Sequence, residues 1–341
     1  MKLVGNCQTT AMGILPHTEI NQALRLALSL DIPFWPQLPK VSFCEDMYAQ
    51  AAEQFPGVTL DLEEQRVNFS MDKFYQDLPI YVENLDDLRY FAISEKYSPV
   101  YHRFLNQDLQ NYSAIRGQNI GPVSFGLKIT DETKTPIIYH DEVRQVIFDY
   151  MAKKVTQQYR ELQEKNENAF VWVDEPGLEL IFMAFTGYPS ERAREDYREF
   201  LQHIAGPKGV HLCGNPDWSF LLNLDLDILS IDILQWGHIF VKYKEELKKF
   251  LDRGGIISWG ITPTLTEEVI AENVDTLLEK LEELWDALSR AGIDRRQVVR
   301  QAWLAPARCC LLNADGVKSV EKSFAMLREL SARLRDKYSL T

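Results

Sequence analysis

Short apolar runs of strand length alternate along the chain with longer segments of helical spacing. The strand-length runs are "TTAMGIL" (9–15), "IPFWPQ" (32–37), "GPVSFGLKI" (121–129), "AFVWVD" (169–174), "GVHLC" (209–213), "DILSID" (227–232), "GIISWG" (255–260) and "QAWLAPA" (301–307). Between them, amphipathic spacing predicts helices over 19–30, 141–163, 190–204, 240–253, 266–292 and 317–337, with a weaker one at 216–224 opened by Pro216 and Asp217. This alternation is the pattern of a parallel sheet covered by helices.

Eight strands alternating with helices in 341 residues predict an α/β fold, a (β/α)8 TIM barrel. No internal repeat and no Gly/Ser- or Pro-rich linker breaks the chain, so one domain over residues 1–341 is expected. Residues 38–115 depart from the alternation. Within them "GVTLDLEEQRVNFSM" (57–71) alternates on both sides of a polar turn, as a β-hairpin does, and the stretch reads as an insertion between strands 2 and 3. A doubly wound open sheet is the alternative, but no GxGxxG or GxxxxGK[ST] follows any strand.

Charge and cysteine usage narrow the partners. A net charge of −13 repels phosphate backbones and anionic lipid, so neither nucleic acid nor membrane is expected. The opening "MKLVGNCQTTAMGILPH" has no sustained apolar core and does not read as a signal peptide. Five cysteines (Cys7, Cys44, Cys213, Cys309, Cys310) do not make a disulfide framework, and a reducing cytoplasm is the expected setting.

In a (β/α)8 barrel the chemistry sits at the carboxyl ends of the strands. There the chain carries His17, Gln37, Asp174 and Glu175, His211 and Cys213, Asp232, Trp259, and Cys309 with Cys310. Residues i and i+2 of a strand face the same way, so His211 and Cys213 can be two ligands of one ion. Imidazole and thiolate suit Zn²⁺, and Cys309 or Cys310 can supply a third ligand and Asp232 a carboxylate. The competing reading is a buried His/Cys pair without metal. Asp174, last in its strand, can face the site and bind a substrate ammonium group, whereas Glu175 can equally serve a helix N-terminus. His17, Gln37 and Trp259 are candidate pocket residues; His102, His140, His203 and His238 read as structural or exposed. No G-x-S-x-G elbow or H-E-x-x-H is present, which leaves serine hydrolase and zincin chemistry without support.

"GVHLCGNPDWSFLLNLDLDILSID", "VWVDEP" and "LAPARCCLL" together resemble the superfamily of cobalamin-independent methionine synthase, the corrinoid-protein:coenzyme M methyltransferases and uroporphyrinogen decarboxylase. "GILPHT" and "IPFWPQLPK" are similar to its compact methionine-synthase-like branch. The resemblance implies zinc on His211, Cys213 and Cys309, with Cys310 at the position of a glycine. Asp232 stands where the synthases carry a longer carboxylate. The acid of the DEP segment, Asp174 or else Glu175, would hold the amino group of homocysteine. The implied activity is methylation of a small thiol, with a methylcobalamin-type corrinoid, free or on a partner protein, or a folate as methyl donor. One barrel and an acidic charge favour the corrinoid. A metal-free decarboxylase acting on a polyacid, and a non-catalytic corrinoid- or zinc-binding protein, are the alternatives; the first leaves the H-x-C and later cysteine unexplained.

Overall fold

The computed structural model describes residues 3–181, 187–310, 313 and 315–340. Among the described residues nine strands form: β1 (Gln8–Thr9), β2 (Val58–Asp61), β3 (Arg66–Phe69), β4 (Ile115–Ile120), β5 (Ala169–Asp174), β6 (Lys208–Leu212), β7 (Ile228–Asp232), β8 (Ile256–Thr262) and β9 (Ala302–Pro306). Seven of them make one parallel sheet in the order β1-β9-β8-β7-β6-β5-β4. The expected second strand, 32–37, pairs only through isolated bridges, Phe34 with Arg116 and Ile14 with Gln37. Its backbone nevertheless touches both sheet edges: Ile32 N–H donates to Thr9 O (3.0 Å) and Arg116 N–H to Pro33 O (2.9 Å). Pro33 and Pro36 have no N–H to give, which is why this segment makes no continuous ladder.

Strands β4 to β9 are buried on both faces apart from Lys208, so each bears two sets of side chains with different neighbours. Phe170, Trp172, Ile228, Ile256, Trp303 and Ala305 pack with Met12, Ile32 and Ala114 as one cluster inside the curl of the sheet. The alternate positions, among them Val171, Val173, Val210, Leu212, Leu229, Ile231 and Ile257, join the larger core under the helices. Burying each such side chain contributes about 1.5–3 kcal/mol, and the two layers together hold the strand ends in place.

The third predicted strand is displaced. Residues 122–128 of "GPVSFGLKI" form the helix Pro122–Lys128, and the strand is the preceding "IRGQNI". Proline at the first helical position is favourable, because its missing N–H is one the helix would leave unpaired anyway. The strand carries Arg116 and Gln118 on one face, so it lacks the apolar run that marks its neighbours. The first predicted strand shortens to Gln8–Thr9 plus the bridge at Ile14.

Helix 141–163 forms as predicted and lies across β4 and β5. The helix expected over 240–253 is two, Ile233–Phe240 and Lys244–Asp252. That expected over 266–292 is also two, Thr266–Ala271 and Val274–Arg290, because Asn273 and Thr276 form a reciprocal capping box that starts a new helix. Residues 38–114 hold the predicted hairpin, with Val58 opposite Phe69, and the helices Met47–Ala52, Met71–Glu83 and Pro99–Leu105. Among the described residues no helix is long and apolar enough to cross a membrane.

Candidate active site at the strand carboxyl ends

Asp174 and His211 are paired across β5 and β6 at the carboxyl end of the sheet. The backbones are tied further by Glu175 N–H donating to His211 O (2.9 Å) and Gly121 N–H donating to Asp174 O (2.9 Å). The His211 ring is held on three sides. Nδ1 meets Ser230 Oγ of β7 at 3.0 Å, Nε2 meets Cys213 Sγ at 3.1 Å, and the ring stacks on Trp172 with centroids 5.7 Å apart and planes 21° apart. Burial, with the Arg116 cation adding to it, lowers the imidazole to about 3, so the ring is neutral.

Cys213 follows β6 and is fixed from both sides. Its carbonyl accepts from Trp236 Nε1 (3.1 Å), and its sulfur accepts from the backbone N–H of Cys309, which arrives from beyond β9. Burial raises the Cys213 thiol, and the neighbouring Cys309, Asp174 and Asp232 raise it further. The two adjacent cysteines part company. Cys309 packs against the inner cluster, while Cys310 is buried in the outer core with its thiol toward Arg308 O (3.9 Å). Extended neighbours point opposite ways, so only one of the pair can face Cys213.

Asp174 is buried, and no hydrogen bond engages its carboxylate among the described residues. Burial raises it to about 7, against the pull of the Arg116 cation. Glu175 behaves differently. Its carboxylate accepts from Val123 N (3.1 Å), Ser124 N (2.9 Å) and Ser124 Oγ (2.6 Å), closing the first turn of helix Pro122–Lys128. A group so engaged anchors the start of this helix, one of the two roles the sequence left open for Glu175. The helix it serves lies after β4, a pairing that spacing along the chain does not reveal.

Asp232 is likewise employed. One oxygen accepts from Gln235 N (3.1 Å) as the cap of helix Ile233–Phe240, and the other lies 3.4 Å from Arg308 Nε. The latter is an ion pair at a distance without good hydrogen-bond geometry, since both atoms lack a hydrogen-bond partner. Asp232 thus has one oxygen committed to a helix start and the other beside the Arg308 cation.

Trp259 points away from the site. It lies on the outer face of β8, edge-on to Phe240 (6.1 Å) and Trp285 (6.0 Å) in the helical layer. Alternation decides this, since Ser258 and Gly260 take the opposite face. Trp259→Phe is expected to lower stability by about 1–2 kcal/mol through a partial cavity and to leave the KM for substrate unchanged. A raised KM with unchanged unfolding midpoint would return Trp259 to the site. Gln37 is buried and donates from Nε2 to Gln50 Oε1 (2.7 Å), part of a chain that continues to Glu45. His17 is fully buried, with neither ring nitrogen hydrogen-bonded, and burial lowers its pKa against the opposing effect of Glu321. No hydrogen bond joins Gln37 or His17 to His211 or Cys213.

Two residues that sequence reasoning missed, Arg116 and Trp172, lie just below the mouth. Arg116 is fully buried, its guanidinium carbon 3.9 Å from the Trp172 ring centroid. It donates to Ala11 O and to Gly117 O (3.1 Å). The polar alternation in "IRGQNI" was the available signal, but a polar strand reads as a loop unless the curl that encloses it is known.

Among the described residues no three His, Cys, Asp or Glu side chains converge as a ready metal cage. The donor set nonetheless matches zinc chemistry in two respects. A neutral imidazole nitrogen and a thiol sulfur meet at 3.1 Å, and the other ring nitrogen is already held by a partner, as the histidine ligands of metal sites are.

A curled parallel sheet with its reactive side chains gathered at one end is the layout of α/β barrel enzymes. The solved methyltransferase from Methanosarcina mazei shares this fold with a TM-score of 0.59 at 12% identity, over 98% of this chain and 94% of that one. A B12-independent methionine synthase from Shewanella sp. W3-18-1, solved in complex with selenomethionine, overlays in part, with a TM-score of 0.48 at 12% identity over 76% of this chain and 68% of that one. No protein-family model and no curated protein matches the sequence.

Proposed function

We propose that this protein is a methyltransferase that binds zinc through His211, Cys213 and Cys309 and methylates a small thiol of the homocysteine type. The observation that carries this reading is the meeting of His211 Nε2 and Cys213 Sγ, with Cys309 N–H on the same sulfur, on a fold shared with a methyltransferase. Zinc at these ligands would act as a Lewis acid that favours the thiolate form of the substrate near neutral pH.

The chain's own groups divide the remaining work. Ser230 holds the far ring nitrogen, which leaves the Nε2 lone pair toward Cys213. Asp174, whose carboxylate meets no hydrogen bond among the described residues, offers it to the substrate ammonium. We read residues 1–341 as one (β/α)8 barrel, with 32–37 as its second strand and 38–115 as an insertion between strands 2 and 3. The methyl donor we assign is a corrinoid, free or protein-bound, because a net charge of −13 disfavours the approach of a folate polyglutamate tail.

The test is zinc content of the purified protein together with methylation of homocysteine by methylcobalamin and, separately, by methylfolate. One zinc per chain and methylation from the corrinoid are expected. Absence of bound zinc, or turnover that survives its removal by a chelator, would overturn the reading.

A further inference from the structure

Trp172 lies between a cation and the candidate ligand. On β4 and β5, Gln118 pairs with Trp172, so Arg116 sits one inward position below it; on β5 and β6, Trp172 pairs with Gly209, so His211 sits one inward position above. The contacts follow the register: the guanidinium is 3.9 Å from the ring centroid, and the imidazole stacks at 5.7 Å with planes 21° apart. Gly209 makes room for the indole, since a Cβ there would come within 2.8 Å of the Trp172 Cβ. Arg116 is itself immobilised by carbonyls from two directions, Ala11 O and Gly117 O.

We infer that Trp172, pinned by Arg116, is a positioning residue for His211: it sets the plane of the imidazole and so aims Nε2 at the ion-binding position beside Cys213. The inference rests on the proposed zinc site for its chemical purpose. Its physical basis is independent of the metal. The two in-plane contacts, Nδ1 with Ser230 and Nε2 with Cys213, leave the ring free to tilt about the line between them, and a flat aromatic surface against its face removes that freedom. The electron-rich indole face is attracted to the guanidinium, so the cation holds the surface in place. Outer contacts of this kind, by orienting a ligand, typically change metal affinity by about 10–100-fold.

The experiment reads His211 directly. Imidazole resonances of the metal-free protein are recorded by NMR and assigned among six histidines by their loss in His211→Gln. Wild type is expected to show the His211 ring protons displaced upfield by the indole. Trp172→Leu should return them toward the positions of an unstacked histidine and weaken zinc binding by about 10–100-fold. Trp172→Phe, a smaller ring, should move them part of the way; it reports in the same sense should Trp172→Leu fail to fold. Unchanged His211 resonances in a folded Trp172 variant would overturn the inference, as would a lost displacement with unaltered zinc affinity. If wild type binds no zinc, the proposed function fails while the resonances of the metal-free protein still judge the role of Trp172.

Discussion

Cys213→Ser is expected to lose the bound zinc and to lower thiol methylation by roughly a thousandfold or more. A Lewis acid acting on a reacting group contributes several kcal/mol, and about 1.4 kcal/mol corresponds to each tenfold in rate. The substitution removes the soft donor and leaves the geometry around it. The Cys213 carbonyl still receives Trp236 Nε1, and the smaller hydroxyl fits the partly exposed position. The fold should therefore persist, which separates this variant from a general loss of structure. Cys310→Ser makes the comparison sharp. Its thiol lies in the apolar outer core, so a hydroxyl there should cost stability and leave zinc content intact. Elemental analysis and unfolding midpoints on both proteins decide the matter. Zinc retained in Cys213→Ser would remove Cys213 from the proposed site, and zinc lost in a folded Cys310→Ser would put Cys310 in the place of Cys309.

Glu175→Ala is expected to destabilise the protein by about 3–5 kcal/mol, because three buried donors lose their acceptor together and each such loss costs about 1–3 kcal/mol without full additivity. The donors are Val123 N, Ser124 N and Ser124 Oγ, all served by the one carboxylate. Gly121→Ala should act through the same contact. A Cβ at residue 121 would lie 2.0 Å from Glu175 Oε1, so the carboxylate would be driven from the helix it closes. The double variant should then cost less than the sum of the singles, the mark of two changes that break one interaction. A domain stable by about 5–15 kcal/mol can lose this much and still fold, so denaturant titration can follow each variant. Wild-type stability of Glu175→Ala with loss of turnover would make Glu175 a catalytic acid after all.

The adjacency of Asp174 and Glu175 shows how differently two neighbouring carboxylates can be used. Both stand at a strand end before Pro176, and composition offers no reason to prefer one. Alternation along β5 turns Asp174 inward with Phe170 and Trp172, and leaves Glu175 to face the turn after β4. The sequence could say that one was free for chemistry and the other was a candidate anchor. It could not say which helix the anchor served, because residues 123 and 124 are fifty positions away in the chain and meet it only when β4 and β5 pair.

Residues 169–174, 209–212, 228–232, 256–260 and 302–306 were legible as strands because parallel strands covered on both faces are apolar on both faces. The strand "IRGQNI" was hidden for the converse reason. Its inward positions carry Arg116 and Gln118, and burying such groups is tolerable only where carbonyls such as Ala11 O, Gly117 O and Trp35 O receive them. Those acceptors come from other strands or adjoining peptides and leave no trace in a hydrophobicity pattern.

The sequence by itself determined the alternating α/β order, the hairpin at 57–71 and the i, i+2 relation of His211 and Cys213. Each depends on periodicities of two or 3.6 residues, which are properties of the local chain. The tertiary structure alone decided that Cys309 reaches the Cys213 sulfur, that Asp232 and Glu175 are taken up by helix starts and Trp259 by the helical layer, and that Arg116 and Trp172 stand beneath His211. These are relations between strands, set by the register in which separate segments pair, and no window along the chain contains both partners.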